Sequence, residues 1–341
     1  MSAPCKVSIF GAAGYIGEEL IRLLSTHPTV EITLLTSRSH DGKHVSEVFS
    51  RFRDLDLHFS QPCVDEAVHQ TDVAFLSLPH GLAAEFARPL LDRRMTVIDL
   101  SADFRLRNTD TYEQYYGAAH PAPELLSQAV YGLPERYRAE IATAKLIACP
   151  GCYPTSIILP GAALLAAGEI SPEGIVICSM SGVSGAGRKL DVPYLFSECN
   201  ESLRAYSPSG HRHTPEITQE LAAAAELGSI TLNFIPHLVP VTRGIHSTIV
   251  ANALGTAESA HAALCAAYHE EPFVRVLPLG VLPDTKHVTK TNCCEIGIVH
   301  DRATGKLIIT SAEDNLTKGA AGQAIQCLNL TQRWPETTGL L

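Results

Sequence analysis

Three glycines spaced three apart, Gly11, Gly14 and Gly17 in FGAAGYIG, follow directly on the apolar run Val7 to Phe10 and lead into the helical pattern EELIRLLSTHP. No other stretch constrains the fold as tightly. A chain that leaves a strand, turns on glycine and enters a helix at once is building a βα unit. In such a turn the first glycine makes the bend, the second lets a phosphate approach the backbone, and the third seats helix against sheet. The unpaired N–H groups of the first helical turn then face the anion. The spacing alone recurs in ordinary turns; its place after the first strand is what points to a dinucleotide.

The alternation continues downstream. VEITLLTSR, DVAFLSLPHG, MTVIDLS and KLIAC read as strands, and LAAEFARPLLDRR reads as a helix. Strands alternating with helices of this size predict a parallel sheet covered on both faces, so residues 1–150 form a Rossmann-type domain. The second half is richer in strands: GIVICSMS, ITLNFIP, IHSTIVANAL and CCEIGIVH. With helices over SIILPGAALLAAGE, PEITQELAAAAEL and ESAHAALCAAYHE, residues 151–312 read as an α+β domain with a mixed sheet. Pro160 is expected within the first turns of its helix, where proline is tolerated. A last helix near LTKGAAGQAIQCLNL can pack on either domain.

The second strand ends in Thr36-Ser37-Arg38, with no carboxylate to accept from a ribose 2'-hydroxyl. A hydroxyl followed by a guanidinium suits a 2'-phosphate, so the spacing predicts NADPH/NADP+ over NAD, with Ser37 and Arg38 at that phosphate. The bland reading makes Arg38 a solvated charge. Ala12, Tyr15 and Ile16 join the glycines in the expected cradle, with Pro79 of LPHG. A second glycine-dense loop, SGVSGAGRK at 181–189, offers Ser184 and Gly185 to nicotinamide or substrate, or is a surface turn.

CPGCYPT, at 149–155, holds the candidate nucleophile. Cys152 stands just before the helical start, where free backbone donors stabilise a thiolate. Cys149 ends the KLIAC strand and is expected in packing. A zinc half-site needs a second half, and the adjacent Cys293-Cys294 offer no match. A redox pair and inert thiols remain open. A thiol beside a nicotinamide suits acyl chemistry: sulfur displaces a leaving group from an activated acyl group, and hydride reduces the resulting thioester to an aldehyde.

SGHRHTPEI supplies acid/base candidates. An extended HRH segment would point His211 and His213 to one side and Arg212 to the other. Thr214 would cap a helix beginning at Pro215. Glu216, one turn in, can orient an imidazole or bind a substrate amine or amide. Two surface histidines in a loop is the alternative. Arg105, Arg188, Arg212 and Arg243 are candidates for a substrate phosphate or carboxylate, each individually nearer to an ordinary solvated arginine.

Composition excludes several classes. A net charge of −10 without a long basic run argues against nucleic acid. No apolar run approaches the roughly 20 residues of a membrane span, and the N-terminal run is too short for a signal peptide core. Ten cysteines without periodic spacing in so long a chain suit thiols in a reducing compartment, hence a cytoplasmic enzyme.

FGAAGYIG, LPHG, SADFRL, YGLPE, GCYPT, SGVSGAG, GHRHTPEI, HLVPVTRGI and KGAAGQA occur in that order from residue 7 to about 330. In this the chain resembles the N-acetyl-gamma-glutamyl-phosphate reductase family of the aspartate-semialdehyde dehydrogenase superfamily. The resemblance implies a glyceraldehyde-3-phosphate-dehydrogenase-like architecture, with the first domain completed by a C-terminal helix at about 313–341. It implies NADPH-dependent reduction of N-acetyl-L-glutamyl 5-phosphate to the semialdehyde, in arginine biosynthesis. Cys152 matches the nucleophile, His213 the acid/base and His211 a substrate contact; Asn315 would approach the nicotinamide. The second domain would form a homodimer or homotetramer interface. Reductases of carrier-bound aminoadipyl phosphate in lysine synthesis share much of the pattern, although their acidic carrier would favour a basic rim. Aspartate-semialdehyde dehydrogenases fit GCYPT and GHRHTPEI less well, and a non-enzymatic NADPH sensor would leave Cys152 unexplained.

Overall fold

Strand β1 (Cys5–Phe10) is buried at every position but one, as expected of a strand covered on both faces. The computed structural model describes residues 3–188 and 190–341; Met1, Ser2 and Lys189, the last residue of the second glycine loop, lie outside them. The chain forms two compact units, Met1–Pro150 with Ala320–Leu341, and Gly151–Gly319. The return to the first unit is therefore at 320, not 313.

In the first unit, β1 is joined by β2 (Val30–Thr36), β3 (Phe59–Ser60), β4 (Val73–Leu76), β5 (Thr96–Asp99), β6 (Ala129–Tyr131) and β7 (Leu146–Ala148). The order is β3-β2-β1-β4-β5-β7-β6, with every pair parallel. Strand order reverses between β1 and β4, the switch point where a doubly wound sheet takes its ligand. One face buries Phe10, Leu34, Leu76, Leu90, Val97 and Leu146 with the helix Ala83–Asp92. The helix Gly322–Thr331 packs against the helices Tyr15–Leu24 and Pro134–Ile141 and against β5. Its Ile325 and Leu328 are fully buried, a gain of about 1.5–3 kcal/mol each. On its polar face Gln323 donates to Gly132 O at 3.1 Å, and Asn329 bonds the His27 ring at 3.1 Å.

The second unit contains β8 (Ile175–Gly182), β9 (Arg204–Ala205), β10 (Leu232–Val239), β11 (Ile245–Asn252), β12 (Val274–Val276), β13 (Cys294–Asp301) and β14 (Lys306–Glu313). They form one mixed sheet, β12-β13-β14-β11-β8-β10-β9. Burial alternates along β8 and β11, so one face is packed and the other is open. The packed face carries the helix Cys152–Ala166, flanked by Thr214–Ala224 and Ala257–Tyr268.

Pro160 sits in the interior of Cys152–Ala166, not in its first turns. A proline there deprives the carbonyl four residues earlier of its N–H partner. That carbonyl belongs to Ser156, and the Ser311 hydroxyl of β14 donates to it at 2.5 Å. The Ser156 hydroxyl bonds Ser247 of β11 at 2.7 Å, and Ser247 bonds Ser179 of β8 at 2.7 Å. The helix that begins with Cys152 is thus pinned to three strands by buried hydroxyls. Among the described residues, no helix is long and apolar enough to cross a membrane.

Candidate active site

In the first unit, Gly11 turns the chain at φ +76°, and a side chain on it would collide with the Ser77 carbonyl. Gly17 lies so close to Ala12 that an added methyl would sit 2.5 Å from the Ala12 carbonyl oxygen. Gly14 differs: a methyl there meets only Gly11 O at 3.7 Å, so the approach is open. Gly14 is also the N-cap of the helix Tyr15–Leu24, whose first residues include Tyr15 and Ile16. An open backbone at a helix N-terminus is the shape a pyrophosphate requires, and the loop fits the cofactor. Beyond β2, Ser37 is buried with its hydroxyl 3.4 Å from that of Ser39, while Arg38 is exposed with Glu85 3.9 Å away. Pro79 is exposed at the end of β4's loop, ahead of Gly81, whose N–H donates to buried Asp103 at 2.6 Å.

In the second unit, Cys152 is the first residue of its helix and Gly151 is the N-cap. Two partners converge on that glycine. Its N–H donates to Glu216 Oε1 at 2.8 Å. The His213 ring covers its α-carbon, so that an added methyl would lie 2.5 Å from Nε2 and 2.7 Å from Cε1. Because His213 and Glu216 both belong to the start of Thr214–Ala224, one helix end is docked on another through a residue with no side chain. Gly151→Ala should push the imidazole aside and lower kcat about 10²-fold, with dinucleotide affinity unchanged. Steady-state kinetics and a binding titration check this; an alanine variant with wild-type kcat contradicts it.

His211 and His213 lie with ring centroids 5.0 Å apart, in an edge-on cluster with Tyr153, Tyr206 and Phe234. Their proximity does not come from an extended strand. Residues 211–214 form a turn closed by Thr214 N–H to His211 O at 2.9 Å. The helix begins at Thr214, its N-cap is His213, and Pro215 follows Thr214 inside the first turn; Thr214 is not the cap. The turn sends Arg212 to solvent. It also aims the His213 backbone N–H at His211 Nδ1, 3.1 Å away. Burial, reinforced by Arg212, pushes His211 down to about 4, so it is neutral near pH 7 and its Nδ1 is an acceptor.

The arginines have internal partners. Arg105 is buried and donates through Nε to Cys149 O at 2.8 Å and through Nη2 to Leu100 O at 3.0 Å, holding the end of β7 to the turn after β5. Arg243 pairs with fully buried Asp314 at 2.8 Å and donates to the Thr317 hydroxyl at 3.0 Å. Arg188 is exposed. Cys149 is buried.

Asn315 accepts from the Gly244 N–H at 2.8 Å and donates to the Ser184 hydroxyl at 3.0 Å. Gly185 lies alongside: a methyl on it would meet Ser181 Oγ at 2.6 Å. Ser184, Gly185 and Asn315 are therefore one polar cluster of the second unit.

Glu313, the last residue of β14, falls in none of the sequence motifs. It is fully buried, and Gly319 separates it from the cysteine: a methyl on Gly319 would lie 2.9 Å from Cys152 Cβ and 3.0 Å from Glu313 Oε1. Its strand, KLIITSAE, becomes buried on both faces toward its end, so alternation gives no signal for it. Among the described residues, no group of three or more His, Cys, Asp or Glu side chains is placed to hold a metal ion.

Two family models match. "Semialdehyde dehydrogenase, NAD binding domain" covers residues 6–144, and "Semialdehyde dehydrogenase, dimerisation domain" covers residues 152–315. The chain is 51% identical over 342 residues to the N-acetyl-gamma-glutamyl-phosphate reductase of Akkermansia muciniphila, covering 98% of each. It is 49% identical over 338 residues to the protein of that name from Pelotomaculum thermopropionicum, covering 98% of this chain and 97% of the relative. Its fold is similar to aspartate semialdehyde dehydrogenase II of Vibrio cholerae, complexed with ASA, at TM-score 0.73 and 18% identity, covering 97% and 99% of the chains. The Candida albicans aspartate semialdehyde dehydrogenase with NADP follows at TM-score 0.70 and 17% identity, with the same coverage.

Proposed function

Since the chain belongs to the N-acetyl-gamma-glutamyl-phosphate reductases of the aspartate-semialdehyde dehydrogenase superfamily, we propose that its reaction runs through a thioester on Cys152, with His213 as acid and base. The reaction is the reduction of N-acetyl-L-glutamyl 5-phosphate to N-acetyl-L-glutamate 5-semialdehyde and phosphate, a step of arginine biosynthesis. The cofactor is NADPH, which when bound supplies the hydride. Gly11, Ala12, Gly14, Tyr15, Ile16 and Gly17 would hold its pyrophosphate, Ser37 and Arg38 its 2'-phosphate. Pro79, Ser184, Gly185 and Asn315 would lie toward the nicotinamide.

His213 takes the thiol proton, and the sulfur attacks the acyl carbon. As the C–O bond to phosphate breaks, the imidazolium returns that proton to the leaving phosphate. Reduction of the thioester carbonyl leaves a thiohemiacetal oxyanion, which expels the thiolate and releases the aldehyde. A solvent proton then restores the thiol through the same imidazole. The N–H groups at the start of Cys152–Ala166 stabilise both the thiolate and the developing oxyanion. His211, neutral and tied to the His213 backbone, orients the turn and offers its other ring nitrogen to substrate. Arg212, the exposed guanidinium beside it, is the candidate for the substrate's carboxylate; Arg105 holds backbone through Cys149 O and Leu100 O, and Arg243 holds the Asp314 carboxylate and the Thr317 hydroxyl.

The observation that carries this reading is a thiol at a helix N-terminus whose preceding residue is covered by an imidazole. An assay of acyl phosphates with NADPH and NADH tests it, run in reverse as phosphate-dependent oxidation of the semialdehyde. Acetylglutamyl semialdehyde should be strongly preferred; equal rates with unrelated semialdehydes contradict the substrate assignment. Arg38→Ala should weaken NADPH about 10–100-fold and leave NADH unchanged, the loss of one charge-assisted contact. A fluorescence titration with each cofactor measures this, and parallel losses would exclude a 2'-phosphate contact. The enzyme is assigned to the cytoplasm as a homodimer or homotetramer. Support for assembly comes from the description of the matched dimerisation model and from Val176 and Met180, exposed on the open face of β8.

A further inference from the structure

We propose that Asp103 is a positioning residue for the dinucleotide: its buried carboxyl group fixes the turn 79–82 beside the glycine loop. This rests on the reading that places Pro79 toward the nicotinamide. Asp103 is fully buried, so it acts through other residues. Its two oxygens receive the turn. Oδ1 accepts from the Gly81 N–H at 2.6 Å, and Oδ2 accepts from the Ala84 N–H at 3.3 Å. Ala84 lies in the first turn of the helix Ala83–Asp92, whose own N-cap, Leu82, makes no side-chain capping bond. The missing cap comes instead from Asp103, beyond β5.

The turn starts against the dinucleotide loop. The Ser77 N–H donates to Phe10 O at 2.9 Å, and a methyl on Gly11 would collide with the Ser77 carbonyl and lie 3.1 Å from Leu78 Cδ2. Ser77 and Gly11 thus stand side by side where strand order reverses between β1 and β4. At the far end of the turn Asp103 is a fixed point. Its N–H donates to the Ser101 hydroxyl at 3.1 Å, which donates in turn to Asp99 at 2.8 Å. Its carbonyl accepts from His120 Nε2 at 2.5 Å. His120 Nδ1 accepts from the Ala122 N–H at 3.0 Å, which leaves the ring hydrogen on Nε2. Two residues on, Arg105 ties the segment to Cys149 O and Leu100 O. From the helix Thr109–Tyr116, the Tyr112 hydroxyl donates to the same Oδ1 at 3.2 Å. Both backbone donors need an oxygen: in Asp103→Asn one of them faces an NH2 group and loses its bond. The turn then leaves its place for part of the time, and apparent dinucleotide affinity falls with the fraction that remains competent.

The test combines dinucleotide titration with amide hydrogen exchange, resolved residue by residue, in full-length wild type, Asp103→Asn and Tyr112→Phe. Asp103→Asn should weaken NADPH and NADH alike, about tenfold, and speed exchange at Gly81 or Ala84 about tenfold. That shared loss differs from the NADPH-selective loss expected of Arg38→Ala. Tyr112→Phe removes a bond to the same oxygen but neither backbone bond, so both affinities should stay within about twofold of wild type. A merely structural network would weaken the two variants together. Equal losses in Tyr112→Phe therefore overturn the proposal. NADPH that binds wild type without slowing exchange in 78–84 overturns it through the placement of Pro79. Slowing there, with unchanged affinities in Asp103→Asn, overturns the role of Asp103 itself. If Asp103→Asn does not fold, wild type alone decides. A Gly81 amide protected in the apo chain and slowed further by NADPH supports the proposal, and one exchanging at the rate of an unstructured amide overturns it.

Discussion

Cys152→Ser should lower kcat by at least about 10⁴-fold while leaving NADPH affinity unchanged. Serine keeps the small polar side chain at the helix start and should not disturb the fold. It removes the one group acidic enough to be ionised by an imidazole and a helix terminus, and a poorer leaving group than thiolate replaces it. The dinucleotide loop belongs to the other unit and depends on β1, Gly11 and Gly14, none of which the substitution touches. Steady-state turnover with a cofactor titration separates the two effects. A serine variant retaining a tenth of wild-type turnover would exclude thioester catalysis through this residue.

The second large effect is expected at His213. His213→Asn should lower kcat by about 10²–10⁴-fold and flatten the acid limb of its pH profile, because the group that moves the proton is gone. His211→Asn should keep that limb, since an asparagine oxygen can still accept from the His213 N–H that now bonds Nδ1. His211 has a second signature. Its folded value, about 4, lies below the ordinary value of 6.5, so the unfolded chain binds more protons between them. Stability contributed by His211 is thus complete above about pH 6.5 and is lost as pH falls toward 4. Thermal melts across that window should lose part of their acid slope in His211→Asn. If His211→Asn abolished the acid limb and His213→Asn kept it, the two roles would have to be exchanged.

Much of this fold is legible in the sequence because the first unit announces itself. Its strands are short apolar runs, and its first turn needs glycine at positions that backbone collisions with Ser77 and Ala12 make specific. Cys152 and His213 can both be picked out as chemistry-bearing residues. What joins them cannot, because a missing side chain at Gly151 says nothing about which ring will cover it. The HRH turn is hidden for a similar reason: an alternating extended segment and a tight turn both put two histidines side by side. Pro160 reads as a helix starter until Ser311, far along the chain, is seen to supply its missing donor. Arg105 and Arg243 read as anion contacts because a sequence shows their charge but not Cys149 O or Asp314, which engage them. Glu313 escapes altogether, since its strand loses its alternation where both faces become buried.

The central claim is covalent attachment of the acyl group to one sulfur. It is tested most directly by mixing the enzyme with acetylglutamyl phosphate in the absence of NADPH, quenching in acid and mapping the modified peptide by mass spectrometry. The mass of one N-acetylglutamyl group on the peptide bearing Cys152, discharged when NADPH is added before the quench, is the predicted result. An enzyme that turns over once NADPH is supplied, yet carries no acyl group on that peptide in its absence, would contradict it.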